Sequence, residues 1–308
     1  MDQFGLMVGL DKKNAFEGWF CKVEDSLNQW MFSVIWGYST NETNAHAFIQ
    51  FQNSLDHSTK YLSYSMEEFA WDKEKQQLRI GKNTLSKDGV HLDFVMETGP
   101  VLADYSFTEL TPIQKRFLRP NIMGVLTYVP NECNHSIISM KHRVSGSFQY
   151  GEKVFETKNA VGYMEKDWGT SFPRDYVWLQ VNDWDKSAVV FSYATVPVLG
   201  KFAKGFFLVL HHEGQEYRFS SIEGSRLIYF DVSNNSFEAK IQKGKVCVAI
   251  KGIQTNPVSL ASPQKGAMSN QIKESLDGVF ELNLMMNDKE TVHLRSEKAS
   301  IDVHFNKI

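Results

Sequence analysis

The chain has 308 residues, a formal net charge of −3 and 42% hydrophobic residues, which fit a globular protein of two domains or one large β domain. This charge provides no basic field for nucleic acid, so no nucleic-acid partner is expected. No apolar run approaches the length of a membrane-spanning helix and the N-terminus lacks a secretory signal, so we expect a cytoplasmic protein, with transient contact at a membrane surface left open.

Short alternating or apolar runs, broken by Gly, Asn, Asp and Ser, recur along the whole chain and are typical of β-strands. The predicted strands cover residues 16–23, 29–38, 45–52, 75–86, 90–96, 122–130, 136–146, 176–184, 187–197, 205–220, 245–252, 278–286, 291–296 and 300–306. An aromatic content of 13% supports the same class, because aromatic side chains pack well on pleated surfaces. The sequence therefore predicts an all-β fold of two antiparallel barrels or sandwiches in tandem.

Three segments between these strands carry weaker signals. Residues 65–78 fit either a helical turn or two, or a strand, a turn and a strand. Residues 108–121 predict a short helix or 3-10 turn, because Thr111 offers a cap and Pro112 follows at the first helical position. The polar, glycine-dotted segment around residue 150 suggests a boundary, which gives an N-terminal domain of residues 1–150 and a C-terminal domain of residues 151–308. We expect the ligand site in or between these barrels.

Cysteines and common motifs limit the chemistry of the chain. Cys21, Cys133 and Cys247 are far apart and odd in number, which favours a reducing compartment over a disulfide framework. The sequence has no dinucleotide-binding, Walker, HExxH or GxSxG motif, so no cofactor is predicted. Cys133 and His135 share a strand face, but two ligands without a third predict no metal site.

Alternation in the segment "DYVWLQVNDW" gives one aliphatic face and one aromatic–amide face. Tryptophans facing solvent would be unusual, so the second face is either a wall of a cavity for an apolar ligand or a second packing face. Both alternatives stay open. The aliphatic face carries Val177, Leu179 and Val181, and the other face carries Trp178, Gln180, Asn182 and Trp184.

The segment "GYMEKDW" concentrates acids and aromatic residues in a predicted strand. Tyr163, Glu165 and Asp167 share one face, and Lys166 and Trp168 share the other. Carboxylates two residues apart lie roughly 6–7 Å from each other along a strand. If both are desolvated, repulsion raises one pKa and keeps that group protonated near neutral pH, as a general acid requires. The alternatives are surface charge or a structural ion pair.

Two segments resemble the signatures of the tocopherol cyclase family. These are "AFEGWFCKV" near the start and "GYMEKDWGTSFPRDYVWLQVNDW" in the second half, and the strands from "SPQKGAMSN" to "SIDVHFN" resemble the tail of that family. More remotely, the arrangement resembles carotenoid hydratases and β-barrel pericyclases. The resemblance implies two lipocalin-like barrels in tandem and a prenylated or polyene lipid as the ligand.

The resemblance also implies an acid-catalysed reaction. A double bond of a prenylated lipid is protonated, and a phenol oxygen closes a ring or a water molecule adds to the cation. The plant enzymes carry Asn at the position of Asp167, which favours Glu165 as the proton donor. The implied roles are Glu165 as donor or orienter of one with Asp167 as its coupled neighbour, Trp168 and Trp178 as a cation-stabilising wall, Gln180 and Asn182 as anchors, and Tyr163, Glu17, Trp19 and His135 as further substrate contacts.

A rival from another class is a lipocalin-like carrier that binds an apolar molecule without transforming it. Every pocket feature suits a carrier equally well, except the carboxylate pair, which a carrier does not need. A third alternative is a structural relic of the fold with an occluded cavity. Oligomeric state stays open.

Overall fold

The computed structural model describes residues 3–117, 120–129, 131–198, 201–287 and 289–305. Within these ranges, nearly all regular structure is β-strand, and the helical segments are two 3-10 turns at Met66–Glu68 and Gly124–Tyr128. Neither of these described turns has the length or the apolar character needed to span a membrane. The predicted all-β class is confirmed.

The first sheet places the "GYMEKDW" segment at its centre. Its eleven strands among the described residues are β1 Phe16–Asp25, β2 Trp30–Ser39, β3 His46–Asn53, β4 Thr59–Tyr64, β5 Phe69–Asp72, β6 Gln77–Ile80, β7 Asn83–Ser86, β8 Gly89–Met96, β9 Gly99–Thr108, β10 Cys133–Tyr150 and β11 Lys153–Gly169. They pair in the order β4-β3-β2-β1-β11-β10-β9-β8-β7-β6-β5. β11 therefore lies between the N-terminal strand β1 and the long strand β10, and both pairings are antiparallel.

The second sheet contains ten strands of the described chain. They are β12 Asp175–Val181, β13 Ser187–Val198, β14 Lys201–His212, β15 Gln215–Ser220, β16 Arg226–Val232, β17 Ser236–Lys243, β18 Val246–Ile253, β19 Val258–Gln264, β20 Ala267–Met286 and β21 Lys289–His304. The order is β15-β14-β13-β12-β21-β20-β18-β17-β16, and β19 pairs with β20 off this path. The central strands β12 and β21 are antiparallel, so paired residues on them present side chains on the same face.

Contacts divide the chain into two compact units. Unit 1 holds Met1–Tyr128, Cys133–Phe172 and Ala261–Asn270, and unit 2 holds Val129–Glu132, Pro173–Leu260 and Gln271–Ile308. The main passage from unit 1 to unit 2 is therefore at Phe172 and Pro173. The break predicted near residue 150 instead falls in the turn between β10 and β11, two paired strands of unit 1. Glycine and polar residues at that position mark a hairpin turn.

Most predicted strands are confirmed, but residues 75–86 and 205–220 each form two strands instead of one, and two further segments differ. Residues 108–117 contain no helix within the described part of the segment, and residues 118 and 119 lie outside it. The predicted strand at 122–130 is replaced by the 3-10 turn Gly124–Tyr128, because the short apolar run does not pair with a neighbouring strand; residue 130 lies outside the described residues. Of the two alternatives for residues 65–78, the strand–turn–strand form is present as β5 and β6, preceded by the turn Met66–Glu68.

Each unit has its own apolar core. In unit 1 the core is rich in aromatic side chains: the ring of Trp30 lies 5.6 Å from Phe32 and 4.7 Å from Phe148, between centroids. In unit 2 the core contains Val177 and Leu179 of the predicted aliphatic face, both fully buried. The alternation predicted for β12 is therefore confirmed, because these side chains point to the core and their sequence neighbours point away from it.

Gly162 on β11 offers a test of how tightly the first sheet is packed. A Cβ atom there would lie 2.1 Å from Nε2 of His142, the residue paired with it on β10. The imidazole of His142 is buried, with Nδ1 3.2 Å from Oγ of Ser139 and its ring 4.6 Å from the ring of Phe107. We expect Gly162→Ala to lower the free energy of unfolding by about 1–3 kcal/mol, measured by urea titration, because the buried ring would have to shift to admit the methyl group.

A matched control is available on the neighbouring strand. A Cβ atom at Gly18 would lie 3.6 Å from the nearest atom, the carbonyl oxygen of Trp36, which is an ordinary contact distance. We expect Gly18→Ala to change stability by less than about 1 kcal/mol. Equal losses in both variants would show that the His142 contact does not determine the cost.

Candidate functional site

Alternation along β11 separates the predicted site residues onto two faces of the first sheet. β1 pairs with β11 without a register shift, so Glu17 is opposite Trp168, Trp19 is opposite Lys166 and Phe20 is opposite Glu165. Glu17, Trp19, Lys166 and Trp168 consequently lie on the face that contains the core of unit 1, which we call the inner face. Glu165 lies on the outer face.

The inner face holds a buried ion pair between Glu17 and Lys166, and neither side chain has exposed surface. The carboxylate of Glu17 also accepts hydrogen bonds from the backbone N–H groups of Met7 (2.7 Å) and Val8 (3.0 Å) and from the hydroxyl of Tyr38 (2.5 Å). With these partners, Glu17 holds the N-terminal segment against the sheet, and its charge is compensated within the protein. The structure thus places the predicted substrate contact Glu17 in a structural network.

The two inner-face tryptophans surround the same ammonium group. Nζ of Lys166 lies 4.4 Å from the ring centroid of Trp19 and 5.6 Å from that of Trp168, which are cation–π distances. The indole N–H of Trp19 donates to the carbonyl oxygen of Phe4 (2.8 Å). Trp168 therefore does not lie beside Glu165 as the predicted cation-stabilising residue would, because alternation places these two side chains on opposite faces of β11.

The outer face brings together four side chains, which we call the outer acid cluster: Tyr163, Glu165, Asp167 and His135. His135 is paired with Asp167 across β10 and β11, and Nδ1 of His135 lies 2.9 Å from Oδ1 of Asp167. Nε2 of His135 lies 3.4 Å from Oε2 of Glu165, which also accepts a hydrogen bond from the hydroxyl of Tyr163. Tyr163 and Glu165 are buried, and the His135 and Asp167 side chains are 12% and 22% exposed. A chain of proton-exchanging groups thus runs from Asp167 through His135 to Glu165.

Charges within the outer acid cluster stabilise the imidazolium. Burial alone would lower the pKa of His135, but the carboxylates of Glu165 and Asp167 and the hydrogen bond to Asp167 raise this pKa to about 9. Burial, together with the neighbouring carboxylates, raises the pKa of Tyr163 well above its ordinary value, so its hydroxyl keeps its proton. The predicted repulsion between Glu165 and Asp167 is therefore offset by a cation placed between them.

We expect His135 to stay protonated through neutral pH, with an NMR titration midpoint near 9 assigned by its loss in His135→Gln. Because the folded-state pKa is above the ordinary value of about 6.5, the stabilisation from this group is complete below pH 6.5 and is lost as the pH rises towards 9. Asp167→Asn should move the midpoint down. A midpoint at or below 6.5 in the unchanged protein would contradict this electrostatic assignment.

The same three titratable groups could also hold a cation. One ligand atom from each of His135, Glu165 and Asp167 lies within 4.8 Å of the others, and one imidazole nitrogen with two carboxylate oxygens suits first-row divalent metals. A metal would have to displace the imidazolium proton, since only a neutral ring nitrogen can coordinate. The hydrogen-bonded geometry of Nδ1 and Asp167 fits proton exchange more directly. The sequence-based expectation of no metal stays a prediction.

The remaining predicted residues lie in unit 2. Trp178 and Gln180 are buried on the face of β12 that points away from the core, with 8% and 0% of their surface exposed. Asn182, just past the end of the strand, is also buried. Trp184 departs from the predicted face: it packs against the core of unit 2, 6.3 Å from the ring of Phe280, because the alternation ends with β12.

Sequence interpretation missed three polar residues that share this face of β12 and β21. The hydroxyl of Tyr176 donates to Oδ2 of Asp302, and Ser300 is the partner of Gln180 in the strand register. Burial raises the pKa of Asp302 to about 7, although the hydrogen bond from Tyr176 acts in the opposite direction. A signal was available, since Ser300, Asp302 and His304 alternate with aliphatic residues in the predicted strand 300–306.

Comparison with known proteins gives a family match, one curated relative and two solved structures of similar fold. A family model described as tocopherol cyclase-like matches residues 111–304. The chloroplastic tocopherol cyclase of maize (Zea mays) is 31% identical over 81 residues, which are 24% of this chain and 17% of the maize protein. The matched segment therefore spans about a sixth of the length of that relative.

Two solved structures share the architecture. An AttH-like protein from Nitrosomonas europaea has a TM-score of 0.53 and 11% identity, with 95% of this chain and 93% of that chain covered. Kievitone hydratase from Nectria haematococca has a TM-score of 0.55 and 11% identity, with 94% and 88% covered. At this level of identity the likeness concerns the fold, and it confirms the expected lipocalin-like β architecture.

Proposed function

Because the chain belongs to the tocopherol cyclase-like family, we propose that it is an enzyme that protonates a double bond of an isoprenoid lipid and lets a hydroxyl group or water capture the cation. Capture by a phenol hydroxyl of the same molecule would close a ring, and capture by water would give a tertiary alcohol. The observation that carries the proposal is the outer acid cluster, in which a buried carboxyl, an imidazole and a phenol are within proton-exchange distance.

In the proposed mechanism, Glu165 takes the proton of the His135 imidazolium across their 3.4 Å contact and transfers it to one carbon of the double bond. The π electrons form the new C–H bond and leave a tertiary cation on the other carbon. The oxygen of the nucleophile bonds to that cation and releases its proton, which returns to His135 directly or through the carboxylate of Glu165. Asp167 orients the imidazole through its 2.9 Å contact, so the cluster ends each cycle in its starting state.

Aromatic side chains beside the carboxyl suit a developing cation. Phe20 is paired with Glu165 across β1 and β11, and its ring centroid lies 6.2 Å from that of Tyr163. A ring face within about 6 Å attracts a cation, and the attraction is stronger when water is excluded. We propose that Phe20 and Tyr163 take the stabilising role that the family resemblance implies for Trp168.

The test is incubation of the purified protein with 2-geranylhydroquinone in D2O, followed by mass spectrometry of the extracted lipid. Cyclisation or hydration by this route places one deuterium on carbon, and hydration also adds the mass of one water. Heat-denatured protein controls for spontaneous acid chemistry. Absence of conversion across a panel of prenylated quinols and acyclic isoprenoids would overturn the proposal.

Extraction of lipid from the gently purified protein separates this proposal from the carrier alternative. A carrier would yield one unaltered lipid and convert none of the panel. An enzyme would yield a product that matches the conversion observed in vitro.

A further inference from the structure

A second group of buried polar side chains lies in unit 2 and shares no residue with the outer acid cluster. Register places Gln180 opposite Ser300 and Trp178 opposite Asp302 on the adjacent strands β12 and β21. Directly paired residues of antiparallel strands have Cβ atoms about 4.5–5.5 Å apart and share a face. These four side chains therefore form one continuous surface, which we call the β12–β21 patch, on the side of the sheet opposite the apolar core.

The β12–β21 patch contains polar atoms that the described part of the protein leaves without hydrogen-bond partners. They are both amide atoms of Gln180, Oγ of Ser300 and Oδ1 of Asp302. Gln180 and Ser300 have no exposed surface and Asp302 is 3% exposed, so bulk water does not reach them. A buried polar atom without a partner loses its hydration and gains nothing in return, and such atoms are rare in folded proteins. Four of them on three neighbouring residues indicate a site whose partners come from a bound molecule.

The chemistry of these atoms limits the ligand. The Gln180 amide offers a donor and an acceptor, the Ser300 hydroxyl can do either, and Oδ1 of Asp302 accepts when ionised and donates when protonated. Glu274 is the partner of Asp302 on β20, so the surroundings are acidic and do not suit an anion. His304, at the end of the same face, has a pKa lowered by burial. A hydroxyl is the smallest uncharged organic group that both donates and accepts, so it matches these atoms.

We propose that the β12–β21 patch binds an uncharged hydroxyl group of a small molecule, with the indole of Trp178 against the apolar body that carries this hydroxyl. Oδ2 of Asp302 is occupied by the hydroxyl of Tyr176, which fixes the carboxyl plane and leaves Oδ1 to the ligand. Ser300 and Gln180 complete the contacts from the two strands. The inference rests on the proposed function only in taking the apolar part of the ligand to be isoprenoid. Recognition of the hydroxyl group does not depend on catalysis.

The experiment compares two probes by isothermal titration calorimetry: 2-geranylhydroquinone and its dimethyl ether, which has no O–H donor. The unchanged protein should bind the hydroquinone about 10-fold more tightly than the ether, and Ser300→Ala and Gln180→Leu should each reduce this ratio to about 3-fold or less. Gln242→Leu is the matched control, because it makes the same change at an exposed position of β17 and should keep the full ratio.

Two outcomes would overturn the inference: equal affinity for both probes, or a ratio that neither Ser300→Ala nor Gln180→Leu changes. Either result would mean that ordered water alone, and no ligand, bonds the unpartnered atoms of Gln180, Ser300 and Asp302. Ser300→Ala removes one oxygen atom and keeps the strand, so it remains informative if Gln180→Leu fails to fold. Selective binding of the hydroquinone without turnover would support this inference and contradict the proposed function. Turnover without selective binding would support the proposed function and contradict this inference.

Discussion

Replacing Glu165 with Gln is expected to lower the turnover of a prenylated quinol at least about 100-fold, the usual contribution of a positioned general acid. The amide keeps the size of the side chain and an acceptor for the hydroxyl of Tyr163, but it cannot give a proton to carbon. Substrate affinity should change much less than kcat. Steady-state rates with 2-geranylhydroquinone, or with whichever panel member the unchanged protein converts, provide the measurement.

Two further variants make this result specific. Glu156→Gln alters an exposed carboxylate on the same strand and should leave kcat unchanged. Asp167→Asn should lower kcat less than Glu165→Gln and shift the pH profile, because Asp167 acts through His135. Full activity of Glu165→Gln would remove Glu165 from the mechanism, and equal losses in all three variants would indicate general damage to β11.

The largest effect on stability is expected from Lys166→Met, which should lower the free energy of unfolding by about 3–5 kcal/mol. The change leaves the carboxylate of Glu17 buried without its counter-charge, since neither residue of the pair has exposed surface. Urea unfolding followed by tryptophan fluorescence measures the loss. Lys158→Met, at an exposed position of β11, should cost less than about 1 kcal/mol and serves as the control.

A double variant separates the lost charge pair from lost packing. Combining Lys166→Met with Glu17→Gln removes both charges, so we expect the double variant to be more stable than Lys166→Met alone. The Gln side chain still presents an oxygen to the backbone N–H groups of Met7 and Val8. If the double variant is instead less stable than either single variant, packing of the Lys166 stem rather than its charge carries the stability.

The fold class followed from the sequence because alternation is a local property. Val177 and Leu179 point to a core wherever the strand pairs, so their faces could be assigned before any partner was known. The division at Phe172 depends instead on which strands pair across the chain. β1 joins β11 over more than a hundred residues, and no short segment of sequence reports such a contact.

The candidate site could be predicted from the sequence only in part, for the same reason. Tyr163, Glu165 and Asp167 were placed on one face by spacing, and the structure agrees. His135 could be named as a candidate but not as the cation between the two carboxylates, because its position depends on the register between β10 and β11. Trp168 shows the opposite case: alternation alone separates it from Glu165, whereas the family resemblance assigns both residues to one site.

β11 also connects the N-terminal segment to the two acids of the outer acid cluster, which a mutational screen would otherwise treat as unrelated. Lys166, which bonds the carbonyl oxygen of Gly5, is adjacent in sequence to Glu165 and Asp167. A change near Gly5 that loosens the N-terminal segment would tilt the backbone from which both acids project. Variants selected for lost or altered activity should therefore recur in the first ten residues, far along the chain from the acids they disturb.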